Sequence, residues 1–174
     1  MTLYGDSPMN RQIQDILSAA EGRYLNSSEQ AILRDFAQTL EARLAAMTEI
    51  SGKEPVIVER TVKEVLRAYP DLEQKYKTAT QSCTRDMTLV LRYAALAMLR
   101  NDPQYLQDTL LTWMATILKG IGFAGHFVTD TYKTLERTAL KELSPAAGKL
   151  LQPFLQLCVE SLGSNLAVGA AEAR

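Results

Sequence analysis

The stretch 81-QSCTRDMTLVLRYAALAMLRNDP-103 decides the fold. It opens with one of only two cysteines and passes Arg85 and Asp86 into an apolar run. It stops at Asn101-Asp102-Pro103, where Asp102 can cap and Pro103 can open a new helix. Cys83, Asp86, Met87, Val90, Ala94 and Ala97 recur at i, i+3/i+4 and so share one face of a helix over about residues 78–100. The small residues Ala94, Ala95 and Ala97 leave room for a neighbouring helix or a flat ligand. Spacing alone makes Cys83 a structural cysteine, buried or half-buried in a helical core. Arg85 reaches that face only by wrapping its long side chain.

The same periodicity extends in both directions. Upstream, a first helix over 8–20 begins at Pro8 and ends near Gly22. A second has Ser27 as its N-cap, with Gln30 completing a capping box, and runs through Ile32, Leu33, Phe36, Leu40, Leu44 and Met47, with Arg43 on the opposite face, to Ser51-Gly52. A third covers about 54–67 behind Pro55, and residues 71–77 form a polar connection or a single turn. Downstream, a helix from Pro103 to Lys119 points Leu106, Leu110, Trp113, Met114 and Ile117 inward. "GIGFAG", 120–125, reads as a loop. Another helix covers about 126–142 through Phe127, Val128, Tyr132 and Leu135. The last starts at Ser144-Pro145, and Pro153 is expected to kink or split it. No stretch alternates convincingly as a strand, so the chain is all-α, and its unequal helices favour globin-like packing over a four-helix bundle.

Composition narrows the function. The 174 residues carry 19 basic and 20 acidic groups, a formal charge of -1, which implies no broad basic surface and no nucleic-acid partner. Two cysteines make no disulfide framework, and a reducing cytoplasm suits them. No apolar run spans a membrane, and "MTLYGDSPMNRQ" is not a signal peptide. The single histidine, His126, stands at a Gly-rich helix start with no second histidine to face it. It reads as a surface residue, so no haem is expected. One His and two distant Cys assemble no metal site. Glu59, Glu64 and Glu136 fall on solvated faces, so no catalytic acid–base pair is implied.

"SCTRDMTLVLRYAALAMLRNDPQYLQD", 82–108, resembles the phycobiliproteins. The allophycocyanin β-type pattern C-x-R-D-x-D-Y-Y-x-R-Y-A-x-x-A-x-x-x-x-D is kept in frame at Cys83, Arg85, Asp86, Arg92, Tyr93, Ala94, Ala97 and Asp102. Gly22-Arg23-Tyr24-Leu25, followed by "EARLAAM", is similar to a second element of that family. The resemblance covers about residues 10–165. It implies a single globin-like, phycobiliprotein-type domain over 1–174, with 1–25 as an N-terminal helical extension.

The resemblance also implies a bilin, an open-chain tetrapyrrole such as phycocyanobilin. Cys83 would attach it by a thioether, Asp86 would accept its pyrrole N–H groups and Arg85 would pair with a propionate. It implies a homodimer, or pairing with a phycobiliprotein-like chain, through the N-terminal helices. It places the protein in the cytoplasm, the cytoplasmic face of thylakoids included. Thr88-Leu89-Val90 stands where the family has Asp-Tyr-Tyr, which implies loss of the pigment's aromatic wall. That divergence points to an accessory, non-enzymatic member that handles a bilin or assists bilin synthesis or phycobilisome assembly. The alternatives are a pigment-free interaction globin and a true phycobilisome antenna subunit with bilin on Cys83.

Overall fold

The structure, a computed structural model, describes residues 10–123 and 125–169, with side chains to residue 163. Pro8 and Ala124 lie outside the described residues. Among those described, helices run in the order α1 (Arg11–Ala19), α2 (Ser27–Ala68), α3 (Asp71–Lys75), α4 (Ala79–Arg100), α5 (Pro103–Leu106), a π turn (Gln107–Leu111), α6 (Thr112–Ile121), α7 (Gly125–Glu142) and α8 (Pro145–Gly169). There is no strand among them, and the packing is the all-α, globin-like one expected.

α4 lies at the centre. Val90, Leu91, Ala94 and Ala97 are fully buried, and the helix packs between α2 and α8. The alanines let these neighbours approach closely. α4 stops as expected: Asn101 takes the left-handed conformation at φ 50°, and the Asp102 carboxylate accepts from Tyr105 N–H at 3.0 Å to cap α5. α1 docks onto this corner, because Asn10 donates to the Arg100 and Asn101 carbonyls at 3.2 and 2.6 Å.

Three expectations change. α2 starts one residue early and does not stop at Ser51-Gly52. Its capping box is Asn26 with Glu29, not Ser27 with Gln30. A carboxylate in the first turn suits the helix dipole better than a neutral amide. Glu29 is also gripped by Arg23 at 2.7 and 2.9 Å, which holds its carboxyl down at about 2. Further along, Ile50, Ile57 and Val58 are buried on one continuous face. That packing carries the helix through Gly52 and Pro55, overriding the low propensity of both. Within α2 the expected roles of Arg43 and Leu44 are exchanged. Leu44 is exposed, whereas Arg43 is buried and donates to the Phe36 and Leu99 carbonyls.

The second change is the π turn. One extra residue in a turn rotates everything after it. Leu110 and Leu111 are both buried, then Met114, Ala115 and Leu118. Trp113 and Ile117, expected inside, are 43% and 50% exposed. The third change is in α8, which runs unbroken through an exposed Pro153 instead of splitting there.

α7 and α8 pack closely. Gly163 faces Thr129 with no space for a Cβ. The α7–α8 corner is tied back to α2, where Glu49 accepts from both the Ser144 N–H and hydroxyl at 2.7 Å. Those bonds and Lys53 hold the Glu49 carboxyl at about 2.

Candidate functional site

The start of α4, α3, the end of α6 and the start of α7 enclose a cleft of about 160 Å³. Each wall follows from a local pattern. α4 is amphipathic there, and its first three turns present Ala79, Ser82, Cys83, Asp86 and Met87 to the cleft. α3 closes the top with Leu72, and Tyr76 follows it. Gly122, at φ 80°, turns the chain between α6 and α7, so that Leu118 and Phe123 lie on one side and Phe127, Thr131 and Tyr132 on the other.

Cys83, Arg85 and Asp86 all border this cleft. Cys83 is half-buried and is a free thiol. Burial first, and the nearby Asp86 charge second, push its pKa up, because both disfavour the thiolate. Arg85 bends back along the helix, and its Nε donates to Asp86 Oδ1 at 2.9 Å. The arginine side chain is 73% exposed and the aspartate 26%, so the guanidinium sits at the rim and the carboxylate in the wall.

The apolar lining has a source that the α4 motif does not suggest. Val90 is fully buried in the core, and none of Thr88, Leu89 and Val90 borders the cleft. The aromatic wall instead comes from α3, α7 and the segments beside them. Tyr76 and Phe123 have ring centroids 5.6 Å apart, and Phe123 and Phe127 5.0 Å. Tyr69 meets Phe127 edge-on at 4.9 Å. At the floor, Tyr132 is buried and its hydroxyl reaches Met114 Sδ at 3.5 Å. Its pKa is raised by burial first, and the charges of Asp86, Cys158 and Cys83 add to that.

Thr131 also escaped the sequence reading. It is 5% exposed, it lines the cleft, and its hydroxyl has no hydrogen-bond partner. The available signal was the inward spacing of Val128, Tyr132 and Leu135, which puts Thr131 on the same face of α7. His126 is exposed in the first turn of α7 and does not border this cleft. Among the described residues no group of His, Cys, Asp and Glu could hold a metal ion. No described helix is long and apolar enough to cross a membrane.

Relatives agree with this architecture. The family model "Phycobilisome protein" matches residues 16–162. The allophycocyanin beta chain of Pyropia haitanensis is 26% identical over 162 residues, covering 89% of this chain and 100% of its own length. That of Porphyra purpurea is 28% identical over 148 residues, covering 81% of this chain and 91% of its own length. That of Mastigocladus laminosus is 28% identical over 137 residues, with 76% and 84% covered. With its helical core, its α4 cleft and a family match over most of its length, this chain belongs to the phycobilisome protein family, in the globin-like fold.

Proposed function

We propose that this protein is a non-enzymatic globin that binds or hands on a bilin, and that the α4 cleft is the binding site. The observation that carries the reading is the meeting of Cys83, Asp86 and Arg85 on one aromatic-lined cleft. The residues suit an open-chain tetrapyrrole, which is a flat apolar skeleton edged with N–H donors, carbonyls and carboxylates. Tyr76, Phe123 and Phe127 offer ring surfaces that exclude water from the skeleton. Asp86 offers an acceptor for pyrrole N–H groups and favours their protonated form. Arg85 stands at the solvent rim, where its remaining N–H donors can engage a propionate as charge-assisted hydrogen bonds. Cys83 offers the thiol for a thioether. Bound there, a bilin would supply visible absorption.

The protein's place would be the cytoplasm, the cytoplasmic face of thylakoids included, in bilin supply or phycobilisome assembly. Its partner would be a second copy or a related phycobiliprotein-family chain, held through α1 and the first half of α2. Ile32, Leu33, Phe36 and Leu40 remain only half-buried there, and Leu17 and Leu44 are exposed.

The test is to produce the protein with and without phycocyanobilin. Binding gives a red-absorbing protein, and attachment at Cys83 gives a zinc-fluorescent band on a denaturing gel that Cys83→Ala removes. A colourless protein under both conditions rejects the reading. One observation favours the pigment-free alternative: Arg85 already satisfies Asp86, so the site's charges balance without a ligand. That alternative predicts no colour together with a stable dimer by light scattering.

A further inference from the structure

We infer that Thr131 is a ligand-binding residue of the cleft, its hydroxyl donating to a carbonyl oxygen of the bound tetrapyrrole. The inference rests on the bilin reading and adds a residue from α7, across the cleft from the α4 cluster. Its ground is an unmet need. A buried hydroxyl without a partner costs folding free energy, and the great majority of buried side-chain polar groups are paired. A helical threonine has an easy remedy in the carbonyl four residues back. Thr129 takes it, donating to Gly125 O at 2.9 Å, and so does Thr134, donating to Asp130 O at 2.8 Å. Thr131, between them on the same helix, has no such bond and is the one of the three that lines the cleft.

The surroundings select the ligand group. Asp86 is an acceptor for N–H donors, and the aromatic rings offer no strong acceptor. On the α7 side the other polar group bordering the cleft is the Tyr132 hydroxyl, already directed at Met114. Tyr76, Thr78, Ser82 and Arg85 bring donors from the α3–α4 side, so a ring carbonyl that faces α7 finds its donor in Thr131. Thr131 has two favoured χ1 rotamers in a helix, so one rotation exchanges hydroxyl and methyl at the cleft wall without moving the backbone.

Thr131→Val keeps shape and removes the hydroxyl, and Thr131→Ser keeps the hydroxyl. Each is compared with the wild type by thermal melting without ligand and after loading with phycocyanobilin, and by the visible spectrum of the loaded protein. For Thr131→Val we expect an unliganded melting temperature equal to or above wild type, because nothing is unpaired. The stabilisation gained on loading should shrink, corresponding to about three- to tenfold weaker binding from one lost hydrogen bond, and the visible band should shift. Thr131→Ser should restore both. A fall in the unliganded melting temperature of Thr131→Val would show that the hydroxyl serves the fold. Loading and spectrum identical to wild type would show that it does not touch the ligand. Either overturns the inference while leaving the bilin reading intact. A wild-type protein that takes up no bilin overturns both.

Discussion

Cys83 and Cys158 differ in what surrounds them, and that difference is testable. Cys158 is 1% exposed in the core, and burial pushes its thiol up to about 12. Cys83 opens on a cleft, with its pKa raised by burial and then by Asp86. Alkylation of the folded protein should therefore occur at Cys83 alone. Its rate should climb at a pH above the ordinary thiol range of about 8.5. Asp86→Asn removes a negative charge that opposes the thiolate and leaves Arg85 beside the site, so the midpoint of the pH–rate profile should fall. A profile unmoved by Asp86→Asn would show that burial alone sets the reactivity. At this scale the sequence was informative about types and faces. The i, i+3 spacing put Cys83 and Asp86 on one side of α4. It could not show Arg43 buried under Leu99, because a cation's burial depends on which carbonyls another helix presents.

Helix contacts decide more than helix preferences do. The break at Asn101-Asp102-Pro103 was legible because its chemistry is local: a left-handed residue, a cap and a proline. The π turn was not, since Leu110 and Leu111 are both drawn inward only by the helices that pack on them. α7 and α8 provide a measurable case. A Cβ at Gly163 would fall well inside contact distance of Thr129 Oγ1, a branched side chain held by its bond to Gly125. Gly163→Ala should destabilise by about 1–3 kcal/mol through overpacking. Thr129→Ala should relieve much of that loss, so the double variant should be more stable in urea than the sum of the single effects. Strict additivity would mean that the helices simply move apart. Because α7 carries Phe127, Thr131 and Tyr132, this contact also fixes one wall of the cleft.

For the whole molecule, the N-terminal half of α2 carries an apolar face that the described residues leave only half-buried. No residue before Arg43 in α2 is fully buried, although Ile32, Leu33, Phe36 and Leu40 follow the same helical spacing as the core stretch beyond it. If a partner chain covers this face, Leu40→Glu should weaken association tenfold or more, read as a lower mass by light scattering, and should leave the melting temperature of the monomer unchanged. A mass unaffected by Leu40→Glu rejects this face as the interface.

By itself the sequence determined the helical class, the α4 motif and the corner that follows it, because periodicity, capping and turn chemistry act within a few residues. Only the tertiary structure decided that α2 continues through Gly52 and Pro55. It alone drew the cleft's aromatic wall from Tyr76, Phe123 and Phe127, and left the Thr131 hydroxyl unpaired in the wall across from α4. These outcomes depend on surface buried between helices far apart in the chain, and no local preference records which distant face will arrive.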